Sequence, residues 1–186
     1  MSKLPKLVIL DRDGVINEDS DEYIKSAEEW VAIPGSLEAI ARLNHAGVGV
    51  VVASNQSGIG RGLLTMDDLN QIHAKFQRAL ARVGGHVDGI FFCPHLPDAG
   101  CECRKPAPGL LRSISLRFAL ALTEIPFIGD TKGDVEAALA ARAKPVLVRT
   151  GKGMRSLHLH PELSRYPWFD DLSDAVDDMF KLDSPT

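Results

Sequence analysis

Short apolar runs and helix-periodic segments alternate along almost the whole chain, and that rhythm leaves few architectures open. The runs at 7–10, 48–53, 88–92, 125–128 and 145–149 are brief and bounded by polar residues, the pattern of strands buried on both faces. Between them, Leu37, Ile40, Ala41 and Leu43 recur at helical spacing within 36–46, with Gly47 as a stop. Segment 66–83 aligns Leu69, Ile72, Phe76, Leu80 and Val83, and Thr65 with Asp68 ahead of it has the form of a capping box. Further helices are expected over about 108–121, opened by Pro108, and over 133–142 and 171–181. Strand, helix and strand in this order predict a three-layer α/β domain, a mostly parallel sheet with helices on both faces. Residues 1–186 are expected to form a single domain with a substantial core. The ends, roughly 1–4 and 183–186, are expected to fray. Loops 14–34 and 93–107 are longer than a connection needs, which marks them for function.

Ligands of such a sheet bind in the crevice beyond the carboxyl ends of its strands. Four polar clusters fall there. Asp11-Arg12-Asp13-Gly14 follows the first run, and Ser54-Asn55-Gln56-Ser57-Gly58 follows the second. Arg104-Lys105-Pro106 precedes the helix at 108, and Gly129-Asp130-Thr131-Lys132-Gly133-Asp134 follows the fourth run. Asp11 and Asp130 offer the hard oxygens that Mg²⁺ takes alongside substrate phosphates. With the metal and Lys105 neutralising phosphoryl oxygens, and Ser54 and neighbouring groups such as Asn55 and Gln56 donating to them, an anionic carboxylate can approach phosphorus. Asp11 is then placed to attack and form an aspartyl-phosphate. Asp13 is placed to protonate the leaving alkoxide and later deprotonate water. That duty requires a protonated Asp13 for part of the cycle, which dense negative charge nearby favours. Asp134 is expected to support the metal through its waters or to orient Lys105.

A second cluster lies in the 93–107 loop. Cys93, His95, Cys101 and Cys103 supply three thiolates and an imidazole, a full tetrahedral Zn²⁺ set with no position left for a catalytic water, so the site reads as structural. It would fix the chain just before Arg104 and Lys105. An odd cysteine count packed this tightly does not form a disulfide framework.

The runs hhhhDRDGhhN, SNQSGI, CRKPxPG and IGDxxxD, across about 7–148, resemble the haloacid-dehalogenase-like (HAD-like) phosphatases. Within them, Asp11–Asn17, Ser54–Gly62, Cys103–Pro106 and the C-x-H…C-x-C loop resemble the heptose-bisphosphate and histidinol-phosphate branch. The resemblance implies a Rossmann-like core with a minimal cap. It also implies catalytic Mg²⁺ on Asp11, the Asp13 backbone carbonyl and Asp130, and structural Zn²⁺. It implies removal of phosphate from a heptose bisphosphate in nucleotide-heptose supply for lipopolysaccharide, with histidinol phosphate as the alternative substrate. Arg104 is implied in substrate recognition, through a second phosphate or the sugar, since its planar fork suits phosphate.

Charge and composition bound the partners. A formal net charge of −4 argues against a nucleic-acid phosphatase, which needs a basic face. No apolar stretch is long enough for a membrane span, and the first ten residues lack a secretory signal, so a cytoplasmic monomer acting on a small phosphorylated sugar is expected. A binding module that has lost catalysis is a further alternative, opposed by the full set of acids and cations. Gly58-x-Gly60-x-Gly62 is no dinucleotide fingerprint and reads as a mobile loop beside the phosphate. His45, His73, His86, His158 and His160 are expected to be solvated, and Trp30, Trp168 and Phe169 to pack. The stretch Asn17–Tyr23, which the family uses to contact sugar, is unusually acidic here and would repel a second phosphate unless its side chains face water or bind hydroxyls. Thr131 stands where some members of the family have a basic residue.

Overall fold

A computed structural model describes residues 4–183, so the termini expected to fray lie outside the described residues except for Leu4 and Asp183. Six strands form one sheet: β1 (Leu7–Leu10), β2 (Gly49–Asn55), β3 (Gly89–Cys93), β4 (Pro126–Gly129), β5 (Lys144–Val148) and β6 (Trp168–Phe169). Their order is β3-β2-β1-β4-β5-β6, and every neighbouring pair is parallel. The helices are α1 (Ser36–His45), α2 (Ser57–Gly60), α3 (Met66–Arg82), α4 (Gly109–Phe118), α5 (Lys132–Ala140), α6 (Gly153–Leu159) and α7 (Leu172–Asp183).

Two-residue periodicity on each strand explains the layers. Val8 and Leu10 of β1, with Val50 and Val52 of β2, pack against Leu37, Ile40, Ile72, Phe76 and Val176 from α1, α3 and α7. Leu7, Ile9, Val51 and Ala53 face the other way, onto Leu110, Leu111 and Ile114 of α4 and Ala137 and Ala138 of α5. All four β1 residues are therefore buried, which is why the run is continuously apolar. Thr65 and Asp68 form the capping box foreseen for α3, and Thr131 with Asp134 forms another at α5.

Several expectations change. The first glycines of Gly58-x-Gly60-x-Gly62 lie in the single helical turn α2, not in a loop. A Cβ on Gly60 would stand 2.8 Å from the Pro94 carbonyl oxygen, so glycine lets α2 approach the 94–103 segment. β6 and α6 escape a periodicity reading because each is too short to show a repeat. α4 stops at Phe118 because Ala119 turns to φ +51°. Trp30 and Phe169 pack as expected, Trp30 against Phe76, but Trp168 is half exposed on the edge strand with Arg149 over its ring. His73 is not solvated: it packs edge-on against Phe92, and burial lowers its pKa to about 4. Among the described residues no helix is long and apolar enough to cross a membrane.

Candidate active site

The carboxyl ends of β1, β2, β4 and β5 surround a cavity of about 480 Å³. Parallel pairing puts Asp11 one residue past the end of β1, where its amide donates to the Ile128 carbonyl of β4 at 2.9 Å. The Asp11 carboxylate accepts from the Arg12 amide (2.7 Å) and pairs with Lys105 Nζ (3.0 Å), both at Oδ1, which leaves Oδ2 for chemistry. Burial raises its pKa to about 7, with the Lys105 charge opposing and the Asp134 and Asp13 charges adding.

Lys105 is 5% exposed. Its ammonium meets Asp11, Asp134 Oδ1 (2.6 Å) and the Ala53 carbonyl (2.9 Å), so three partners fix its position. Burial works against its charge, but Asp11 and Asp134 outweigh it and raise the pKa. Asp134 thus contacts Lys105 directly, its other oxygen receiving the Thr131 amide and hydroxyl in the α5 capping box. Asn55 clasps the same segment by its backbone: its amide nitrogen donates to the Lys105 carbonyl (3.0 Å) and its oxygen accepts from the Lys105 amide (3.1 Å).

Asp130 follows β4. Its Oδ2 accepts from the Lys152 amide at 2.7 Å, and burial with the charges of Asp134 and Asp11 raises its pKa to about 8. Close quarters around it need glycine. Gly14 has φ +83°, and a Cβ there would lie 2.2 Å from Asp130 Oδ2. The carboxylates of Asp11, Asp130 and Asp134 come close enough for one ion to meet all three. Six carboxylates line the cavity against the three cations Arg104, Lys105 and Lys152. That deficit and the hard oxygen donors fit Mg²⁺.

Asp13 lines the same cavity but stands outside the cluster of Asp11, Asp130 and Asp134. It accepts from Arg12 Nε (3.0 Å) and Nη2 (2.9 Å), from Asn17 (2.8 Å) and from Gln56 Nε2 (2.8 Å). Burial opposes its charge, yet the Arg12 guanidinium and the amides of Asn17 and Gln56 hold the carboxyl below its usual range. Its neighbours therefore favour the carboxylate, where dense negative charge nearby was expected to favour the protonated acid. Gln56 also donates to Ser54 Oγ at 2.8 Å, leaving the Ser54 hydroxyl proton free to donate. The amides of Asn55 and Gln56 are thereby committed to Lys105 and Asp13. Arg104 lines the cavity with a buried Nη1 that donates to no group among the described residues.

Three residues take parts that the sequence reading did not assign them. Arg12 is 1% exposed, although arginine normally lies at the surface. Asn17, wholly buried, anchors the loop after β1. Lys152 follows β5, whose carboxyl end opens on the same crevice, and that was the available signal.

At the end of β3 and in the loop that follows it, Cys93, His95, Cys101 and Cys103 converge. Their sulfurs lie 3.2–3.6 Å apart and His95 Nδ1 is 3.2 Å from Cys103 Sγ. A disulfide requires about 2.05 Å. Four ligands about 2.3 Å from one zinc lie roughly 3.7 Å from each other, close to the spacing seen. The cluster is a candidate zinc centre.

A HAD-hydrolase-like family model matches residues 102–175. The D-glycero-β-D-manno-heptose-1,7-bisphosphate 7-phosphatase of Pseudomonas putida is 56% identical over 169 residues, spanning 90% of this chain and 95% of its own. The chain belongs to this phosphatase family. Another member, from Neisseria meningitidis, is 48% identical over 83% of each chain. The crystal structure of the D,D-heptose 1,7-bisphosphate phosphatase from Bordetella bronchiseptica, complexed with magnesium and phosphate, superposes with TM-score 0.92 at 48% identity. It covers 95% of this chain and 99% of that one. The family fold is the three-layer HAD-like sheet described above.

Proposed function

We propose that this chain hydrolyses the 7-phosphate of D-glycero-β-D-manno-heptose 1,7-bisphosphate, with Mg²⁺ as catalytic metal and Zn²⁺ in the cysteine loop. The observation that carries the reading is Asp11, held through Oδ1 by Lys105 and the Arg12 amide, at the floor of a cavity that collects Ser54, Lys105 and Asp130. Names and coverage of the relatives support the substrate, and they favour it over histidinol phosphate.

Asp11 and Asp130 would hold Mg²⁺ together with the Asp13 backbone carbonyl, and the ion would neutralise phosphoryl oxygens and draw phosphate to the nucleophile. Lys105 Nζ and the Ser54 hydroxyl stabilise the same oxygens as charge develops. Asp11 Oδ2 attacks phosphorus and the bond to the sugar O7 breaks, giving an aspartyl-phosphate. Asp13 gives its proton to O7, then takes one from the water that attacks the acyl-phosphate and frees Asp11. Because Arg12, Asn17 and Gln56 hold Asp13 as the carboxylate, it must take up a proton from solvent as the negative charge of the substrate phosphate arrives, and that proton is the one passed to O7. Pathway placement in nucleotide-heptose supply, a monomeric state and cytoplasmic location accompany this reading.

Steady-state phosphate release with the heptose bisphosphate and with histidinol phosphate tests it. A higher kcat/KM for the bisphosphate is expected, and the reverse order would overturn the assignment. Asn55→Ala, which removes both bonds to the Lys105 backbone, is expected to lower kcat/KM by about 10- to 100-fold through a displaced ammonium. Its fall should be mainly in kcat.

A further inference from the structure

The proposed substrate carries two phosphates, yet the outer wall of the cavity presents Asp19 and Asp21. Asp19 is the more enclosed, with its side chain 16% exposed against 79% for Asp21. An uncompensated carboxylate there would repel a second anionic group in a site that is already rich in acids.

Lys152 answers that charge. Its ammonium lies 2.8 Å from Asp19 Oδ2 and 3.7 Å from Asp21 Oδ1. Its root is fixed independently of the loop it holds. The Lys152 amide donates to Asp130 (2.7 Å), the Thr150 hydroxyl donates to the Gly14 carbonyl (2.7 Å), and the Ser156 hydroxyl donates to the Asp130 carbonyl (2.9 Å). One residue therefore ties the acidic stretch to the strand end that carries the catalytic carboxylates. Arg104, with its unpartnered buried Nη1, lines the same cavity and offers a cation for the second anion.

We propose that Lys152 is a positioning residue for substrate selection: by neutralising Asp19 on the 18–22 loop, it lets the site accept a substrate with a second phosphate. The inference rests on the phosphatase reading above. It assigns Lys152 an action through Asp19, not a direct bond to the substrate.

The test compares heptose 1,7-bisphosphate with heptose 7-phosphate, so that contacts to the common sugar cancel in the ratio of kcat/KM values. Lys152→Met is expected to lower that ratio about tenfold, chiefly by raising KM for the bisphosphate. Lys152→Arg is expected to hold it near the native value. Asp19→Asn combined with Lys152→Met restores the local charge and is expected to bring the ratio back to within about threefold of the native one. An unchanged ratio in Lys152→Met would overturn the proposal. So would a ratio that stays low in the double variant, the outcome of a direct bond from Lys152 to phosphate. Circular dichroism and thermal melts confirm that each variant is folded before its kinetics are compared. Native enzyme measured alongside keeps the two readings apart: failure to hydrolyse either heptose phosphate would refute the phosphatase assignment itself, whatever the variants do.

Discussion

Asp11→Asn is expected to fold normally and to lose turnover by about 10⁴- to 10⁶-fold, the range seen when a covalent nucleophile is removed. The native side chain is a buried acid whose charge is opposed by burial and by Asp134 and Asp13. A neutral amide of the same shape relieves that opposition and can still accept from the Arg12 amide through its oxygen. Lys105 keeps Asp134 and the Ala53 carbonyl. Thermal stability should therefore match or slightly exceed that of the native chain, while rapid-quench experiments find no phosphorylated protein. A variant that retained turnover within a hundredfold would remove Asp11 from the role of nucleophile.

The second large effect concerns the cysteine cluster. Residues 97–100 are exposed, so the loop has little core of its own. Cys93 anchors one end at β3, where its carbonyl accepts from the Gln56 amide, and Cys103 directly precedes Arg104 and Lys105. Zinc contributes roughly 10–16 kcal/mol to the folding of finger peptides. In a chain with a separate core only part of that can appear globally, and a Tm fall on the order of 10 °C is expected for Cys101→Ser. Activity should fall at least about tenfold, because Arg104 and Lys105 lose their anchor while Asp11 stays in place. Metal analysis, melting curves and kinetics on the same preparation check this. Loss of bound zinc with native turnover and KM would separate the loop from catalysis.

What the sequence disclosed, and what it hid, follows from range of interaction. β1 and Asp11 were legible because a continuous apolar run followed by an acid reports local burial directly. The α3 box was legible because its partners lie three residues apart. Arg12 was not, since only the pocket formed by Asp13 and Gln56, from two different strand ends, makes burial of a guanidinium tolerable. His73 likewise depends on Phe92 across the fold. β6 has two residues, fewer than any period needs, and it forms because β5 offers an edge. The acidic 18–22 stretch looked hostile to phosphate because Lys152, which answers it, lies far along the chain. Local signals placed the groups, while partners drawn from distant segments decided their charge state and direction.

The strand order has a consequence for how the protein is made. β1 is synthesised first yet lies inside the sheet, with Ile9 and Leu10 registered to Phe127 and Ile128 of β4. During translation β1 can pair with β2 soon after both emerge, but its other edge stays open until β4 leaves the ribosome. Asp11 meets Asp130 only after that step. A nascent chain cannot carry out the reaction part-built, and its exposed inner edge is the place where a chaperone has most to protect.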